Sequence, residues 1–221
     1  MTEADVVIIA VKPVKRAELF GAPGAREALV RGKLVISIMA GVSLKDMSRL
    51  LLGPNPSAAD SASLQIVRAM PNMAAKIGRS VTLYTANMET LTPNKLELTS
   101  WIFNQVGTAQ ISPESTFDVS AVLVGCAGSL LLLAIDGLLD AAVAEGVKRS
   151  EAQKIVVDSA IGMISLTTAG SHPSVLREEI ASPGGCSTRA LLELERLGAR
   201  SAFTTAILAA AERSKAISES R

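Results

Sequence analysis

The sequence predicts an α/β region followed by an all-α region. Up to about Ser112, short apolar runs rich in β-branched residues alternate with helical stretches, as in parallel strand-helix-strand units. Beyond Ser112-Pro113 the strand patterns stop, and helical periodicity continues toward the C-terminus. We therefore place two domains, at residues 1–115 and 116–221.

The α/β region contains five predicted strands and three predicted helices. Residues 5–11 (DVVIIAV) and 34–39 (LVISIM) are continuous apolar runs, typical of strands buried on both faces. Between them, residues 17–30 predict a crossover helix that Gly21, Pro23 and Gly24 loosen. A second helix begins after Ser43, a suitable N-cap. The other predicted elements are a polar loop at 54–63, strands at 65–70, 81–85 and 108–111, and a helix at 91–105.

The second region contains five predicted helices, at residues 117–145, 150–168, 172–180, 188–197 and 201–217. The first holds an uncharged run, residues 119–135, that is slightly short of the roughly 20 residues a bilayer needs. Because the run continues with helical periodicity and carboxylates on one side, we expect a buried helix in a cytoplasmic protein with no membrane partner. Residues 119–139 are apolar nearly all round, which predicts full burial.

Composition excludes several classes of protein. Lys and Arg number 22 against 21 Asp and Glu, and no basic stripe interleaves with aromatics, so we expect no nucleic-acid partner. The single histidine, His172, does not build a multi-histidine metal centre, and we expect no metal. Cys126 and Cys186 form neither a disulfide framework nor a CxxC pair.

Four short segments carry information beyond the fold class: AVKP at 10–13, RAMPN at 68–72, GCAGS at 125–129 and SPGGCS at 182–187. Each segment alone is weak evidence for a function. The second is a common turn, and the fourth is either a break between helices or an anion-binding loop. In this order and spacing they resemble the pyrroline-5-carboxylate reductase family. The resemblance covers the chain from Ala4 onward and includes Asp118, His172-Pro173, Leu176-Arg177, Leu194-Glu195 and Arg200.

The resemblance implies a Rossmann-like sheet, a homodimer through an interlocking long helix, and NADPH as cofactor. The family holds the dinucleotide pyrophosphate on a GxGxxG turn, and residues 1–221 contain no such motif. We therefore expect a truncated Rossmann-like parallel sheet followed by a helical dimerisation domain, with no cofactor bound to the chain as given. Lys12, Pro13 and Asn72 correspond to the remaining cofactor-side rim.

At the substrate end the family's PGGTT loop, which holds the substrate carboxylate, is rewritten. Ser187 keeps one hydroxyl and Cys186 replaces the other, while Met73 and Leu130 make the pocket more apolar. The candidate catalytic residues are Ser182, Cys186 and Ser187; the candidate substrate-binding residues are Met73, Ser129, Leu130, Gly184 and Gly185. Cys186 is either a thiol activated at a helix start or a small substitute for threonine.

Three functions follow as hypotheses. The first is cofactor-independent chemistry (cyclisation, isomerisation or acid–base catalysis) on a small cyclic imine or lactam. The second is NAD(P)H-dependent reduction of pyrroline-5-carboxylate, with the N-terminal segment missing. The third is a non-catalytic dimeric pseudoenzyme. We rank the first ahead of the other two.

Overall fold

In the computed structural model, which describes residues 3–30 and 32–219, five strands form one sheet. The strands lie in sequence order: β1 (Val6–Ile9), β2 (Leu34–Ser37), β3 (Gln65–Met70), β4 (Ser80–Ala86) and β5 (Gly107–Ile111). β1, β2 and β3 are parallel, β4 runs antiparallel to β3, and β5 is parallel to β4. The prediction of a mostly parallel sheet is confirmed.

The helices follow the predicted order. They are α1 (Arg16–Gly21), α2 (Ala25–Val30), α3 (Leu44–Leu52), α4 (Ala58–Ser63), α5 (Pro93–Asn104), α6 (Glu114–Ala144), α7 (Arg149–Thr168), α8 (Pro173–Ile180), α9 (Cys186–Arg196) and α10 (Ala199–Glu219). Ser43 is the N-cap of α3, as predicted, and its hydroxyl accepts from the Asp46 amide at 3.1 Å.

Two predicted elements differ from the structure. The single crossover helix at 17–30 is wrong, because α1 and α2 are separate and Gly24 between them has φ +75°. Proline and a left-handed glycine both interrupt a helical ladder. The loop predicted at 54–63 contains α4, which begins after Ser57; the Ser57 hydroxyl accepts from the Asp60 amide at 3.1 Å.

Apolar clusters cover both faces of the sheet. All four residues of β2 are buried, as expected for a central strand covered on both sides. Side chains alternate along a strand, so Val35 and Leu34 point to opposite faces. Val35 packs in a cluster with residues of α1, α2 and α3, while Leu34 packs in a cluster with Phe103 of α5.

The chain divides into two compact units, which we call the first unit (residues 1–127 and 207–221) and the second unit (residues 128–206). The composition boundary at 115/116 lies near the start of α6, whereas the division between compact units lies inside that helix. The predicted helices of the second region begin and end within three residues of those in the structure.

α6 is long and apolar enough to cross a membrane by length and composition, and only 11% of its most apolar 18-residue stretch is buried. The predicted full burial of residues 119–139 is therefore not reached within one chain. Among the described residues of the second unit, the buried apolar side chains are Leu139, Ala152 and Leu176. This unit has a very small interior of its own.

Candidate functional site

The carboxyl ends of three parallel strands lie at one edge of the sheet. β1 is followed by Lys12 and a 3₁₀ turn over Pro13–Lys15, in which the Lys15 amide donates to the Lys12 carbonyl at 2.8 Å. β3 is followed by Pro71 and Asn72. Ligands of open α/β sheets bind outside the carboxyl ends of their strands, so this edge is the first candidate site.

Asn72 has a structural role in its turn. Its side-chain oxygen accepts from the Ala74 amide at 3.2 Å, which caps the 3₁₀ helix Met73–Ile77. Its own backbone amide donates to the Ser80 hydroxyl at 3.2 Å. The role of Asn72 at a cofactor rim, like that of exposed Lys12 and of Pro13, stays a prediction.

A buried arginine lies beside the same edge. Arg68 of β3 is only 2% exposed, and its guanidinium pairs with Asp118 and, at 3.4 Å, with Glu114. The guanidinium carbon lies 4.4 Å from the centre of the Phe117 ring, within the range of a cation–π contact. Glu114 also accepts from the Leu44 amide at 3.1 Å. We call these four side chains, Arg68, Glu114, Phe117 and Asp118, the Arg68 cluster.

The Arg68 cluster joins β3 to the first turns of α6 and to the start of α3. Within the described residues, Nε of Arg68 and Oε2 of Glu114 are buried without a hydrogen-bond partner. In the sequence, Arg68 and Asp118 are motif positions without a predicted role. The missed signal was a charged residue in the otherwise apolar strand QIVRAM, because a buried charge requires partners.

A cavity of about 260 Å³ lies in the first unit, beside the Arg68 cluster. A Cβ at Gly125 would lie 3.3 Å from the Met70 methyl, so the two residues approach closely at this part of the cavity wall. Its lining includes three charged residues, Arg68, Asp118 and Arg213. The other lining residues are Met39, Ala40, Gly41, Ala69, Met70, Phe117, Ala121, Val122, Gly125, Cys126, Ala210, Ser214 and Ile217.

The segment from Ser182 to Ser187, which we call the 182–187 loop, forms a tight turn before α9. The Gly185 amide donates to the Ser182 carbonyl at 3.0 Å, with Gly184 at φ +70°. This is the geometry of a type II turn, which requires a positive φ at its third residue. A Cβ at Gly185 would lie 2.4 Å from the Ser182 hydroxyl, so a larger residue at 185 would displace that side chain.

The loop places two candidate residues in the first turn of α9. Cys186 is the first helical residue and is exposed, and Ser187 follows it. The first backbone amides of a helix have no partner within the helix and attract anions. The arrangement suits a carboxylate, which Ser187 would also reach with a hydroxyl. No metal-binding group of three or more His, Cys, Asp or Glu occurs among the described residues.

Ser187 also lines a cavity of about 440 Å³ in the second unit. Residues of helices α7, α8 and α9 line this cavity, which is open to solvent, and its only charged lining residue within the described chain is Arg177. The remaining lining residues are Met163, Ile164, Thr167, Pro173, Leu176, Ile180, Ala190 and Leu191.

An ion-pair cluster connects the helices around the 182–187 loop. Glu195 of α9 pairs with Arg177 of α8 at 3.8 Å and with Arg200 of α10. The hydrogen bond from Arg200 lowers the pKa of Glu195 below its ordinary value of 4.5, and the charges of Arg200 and Arg177 act in the same direction. Glu193 pairs with Arg196 one turn along the same helix, and this hydrogen bond lowers its pKa too.

The candidate residues divide between the two units. Lys12, Pro13, Asn72 and exposed Met73 belong to the first unit. The second unit holds Ser129 and Leu130 on α6, and Ser182, Gly184, Gly185, Cys186 and Ser187 in the 182–187 loop. The structure thus brings the last five together, while the substrate roles of Met73, Ser129 and Leu130 remain predictions.

The fold defines a Rossmann-like α/β protein, with a helical unit that follows the sheet. The family model described as pyrroline-5-carboxylate reductase dimerisation matches residues 114–217. A pyrroline-5-carboxylate reductase of Methanosarcina acetivorans is 33% identical over 214 residues, which cover 96% of this chain and 75% of that relative. The chain belongs to the pyrroline-5-carboxylate reductase family.

Two further similarities extend over both units. A pyrroline-5-carboxylate reductase of Lophium arboricola is 35% identical over 206 residues, covering 93% of this chain but only 64% of that relative's length. The crystal structure of Plasmodium falciparum pyrroline carboxylate reductase with NADP bound superposes with a TM-score of 0.84 at 26% identity. That match covers 96% of this chain and 81% of the other.

Proposed function

We propose that this protein acts in the NAD(P)H-dependent reduction of pyrroline-5-carboxylate. The relatives support the second of the three sequence hypotheses, since those at 33–35% identity carry the reductase name. None of them supports the cofactor-independent chemistry that we ranked first. Reduction adds hydride to the imine carbon and a proton to the nitrogen, which converts the imine to the amine of proline.

The observation that carries the proposal is the common edge of β1, β2 and β3. Their parallel alignment brings the residues that follow each strand to one side of the sheet. The cavity of the first unit includes Met39, Gly41 and Met70 from this edge. A flat aromatic ring such as nicotinamide fits a small, mostly apolar cavity at the carboxyl edge of a parallel sheet.

We assign Lys12, Pro13 and Asn72, which follow β1 and β3, to the nicotinamide end of the cofactor. They are not among the lining residues of the cavity, so this assignment rests on their place after the strands. NAD(P)H, when bound, supplies the hydride. Because residues 1–221 contain no GxGxxG motif, we assign no residue to the pyrophosphate.

The 182–187 loop would bind the substrate carboxylate. The type II turn points the chain into α9, so the amides of Cys186 and Ser187 lie at the positive end of an 11-residue helix. Ser187 adds a hydroxyl donor, and the Ser182 carbonyl accepts the hydrogen bond from the Gly185 amide that closes the turn. In this assignment Cys186 contributes its backbone amide, while its thiol substitutes for threonine.

The active form would be a cytoplasmic homodimer. The second unit buries few apolar side chains within the described residues, and most of α6 is exposed in one chain. A second copy would cover these surfaces, which agrees with the dimerisation model that matches 114–217. Obligate dimers bury apolar interfaces of about 2,000 Å² or more.

Ser187→Ala tests the assignment, with Ser150→Ala as control because Ser150 is the second residue of α7, as Ser187 is of α9. We expect oxidation of NADPH or NADH that depends on pyrroline-5-carboxylate. Ser187→Ala should raise KM about tenfold or more, since it removes a hydrogen bond to a charged group. Ser150→Ala should leave KM within about twofold.

Absence of pyrroline-5-carboxylate-dependent oxidation with either nucleotide would overturn the proposal. Turnover of a cyclic imine without nucleotide would restore the cofactor-independent hypothesis. Equal effects of the two serine variants on KM would remove Ser187 from the carboxylate site.

A further inference from the structure

We propose that Glu195 is a positioning residue that sets the geometry of the 182–187 loop. Its consequence for substrate binding rests on the proposed function, whereas its consequence for loop order does not. Glu195 lies in the last turn of α9 and contacts none of the candidate substrate-binding residues in a recorded hydrogen bond or ion pair of the described chain. Its carboxylate acts instead through the helices on either side of the loop.

The ion pairs of Glu195 connect the two helices that flank the loop. α8 ends at Ile180 and α9 begins at Cys186, so five residues separate the two helices. Glu195 connects α9 back to Arg177, which lies one turn before the end of α8. The same carboxylate pairs with Arg200 of α10, so one side chain connects the two helices that flank the loop and the helix after them.

Inside the loop the hydrogen bonds are local. The Ser182 amide donates to the Ile180 carbonyl at 3.0 Å, and the Gly185 amide and the Thr188 hydroxyl both donate to the Ser182 carbonyl, each at 3.0 Å. These bonds shape the turn and connect Ser182 to the last residue of α8 and to the first turn of α9. The Arg177–Glu195 pair connects the two helices directly.

Arg177 also contributes to the cavity that Ser187 lines. Long basic side chains cover apolar surface with their methylene groups and keep the charged end outside it. The guanidinium of Arg177 lies 3.8 Å from the Glu195 carboxylate, and Arg177 is the one charged residue in the described lining of this cavity. Release of that guanidinium would change the cavity wall next to the first turn of α9.

The chain contains a matched control for Glu195. Glu193 lies on the same helix and carries the same charge, and Arg196, one turn along α9, also lowers its pKa. The Glu193 pair stays within α9, while the Glu195 pairs reach α8 and α10. Glu193→Gln therefore removes equal charge and a similar ion pair without releasing the loop.

Hydrogen–deuterium exchange of the full chain tests loop order directly. In Glu195→Gln, a peptide covering residues 182–190 should exchange about two- to fivefold faster than in wild type, the range expected when an exposed ion pair is lost. Glu193→Gln should leave this peptide unchanged, and peptides from α7 should be unchanged in both variants. Equal exchange of 182–190 in Glu195→Gln and wild type, or equal acceleration in both variants, would overturn the proposal.

Steady-state kinetics separate positioning from global destabilisation. Glu195→Gln should raise KM for pyrroline-5-carboxylate by about two- to fivefold with kcat unchanged, because the loop binds the substrate and takes no part in hydride transfer. A fall in kcat with unchanged KM would overturn the positioning role. If the wild-type chain shows no reductase activity while the exchange difference is present, the proposed function fails and the positioning of the loop stands.

Discussion

Arg68 holds a charge inside the first unit because two carboxylates and an aromatic ring receive it. Arg68→Met removes the cation and leaves Glu114 and Asp118 facing each other across a partly buried site. We expect a loss of about 3 kcal/mol in the free energy of unfolding, at the lower end for a broken buried pair because both carboxylates are about one-third exposed. Urea denaturation measures this loss.

A double variant checks the cause. Asp118→Asn in the Arg68→Met background removes one of the two uncompensated charges, so it should recover part of the lost stability. If the two single effects simply add, the ion pair does not carry the interaction.

Position 107 requires glycine because the backbones of β4 and β5 lie in close contact there. It has φ +152°, and a Cβ built there would lie 1.9 Å from the Ser80 carbonyl oxygen of the neighbouring strand. Gly107→Ala should cost more than about 2 kcal/mol, because β5 must move away from β4. Gly21→Ala is the control, since its Cβ meets nothing within 4 Å and its effect should stay within about 1 kcal/mol. Thermal unfolding of both variants tests this.

At the scale of elements, apolar runs and capping residues predict most of the fold. β1 and β2 follow from continuous apolar runs, and Ser43 marks the start of α3. The antiparallel pairing of β4 with β3 does not follow from the composition of either strand. It depends on the length of the connection between them. Only the 3₁₀ helix Met73–Ile77 separates those two strands, which is too short for a parallel crossover.

Of the candidate sites, the sequence predicts the 182–187 loop but not the Arg68 cluster. The turn chemistry of Pro183 and the two glycines predicts a loop that presents α9, and the structure contains it. The Arg68 cluster was missed because Arg68 lies 46 residues before Glu114 and 50 residues before Asp118 in the sequence. Pairing at such sequence separations depends on the fold. Glu195 was a motif position without a role, since α8, α9 and α10 must first be placed together.

The ion pairs on α9 predict an acid sensitivity of the second unit. Hydrogen bonds from Arg196 and Arg200 lower the pKa values of Glu193 and Glu195 below 4.5. Their stabilising contribution is therefore complete above pH 4.5 and is lost as the pH falls through the lowered values. Urea unfolding should show lower stability at about pH 3.5 than at about pH 6, and the combined Glu193→Gln and Glu195→Gln variant should show a smaller difference. A difference of unchanged size would exclude these two groups as its source.

At the scale of the whole molecule, the apolar surface of the second unit predicts association. Leu133 of α6 is 71% exposed in one chain, and Ile77 of the first unit is 77% exposed. Leu133→Glu should shift the chain from dimer to monomer or render it insoluble, because a charge within an apolar interface is costly. Ile77→Glu should leave the dimer intact. Sedimentation velocity without detergent distinguishes these outcomes, and a wild-type monomer at micromolar concentration would contradict them.

Because the second unit has a small interior, we expect its folding to depend on protein concentration. A unit with three buried apolar side chains among its described residues has too little burial to offset the entropy of its helices. In the proposed dimer these helices become stable only when two chains meet. We therefore expect refolding to be bimolecular, with a half-time that shortens as protein concentration rises, and we expect dilution to favour unfolding of this unit.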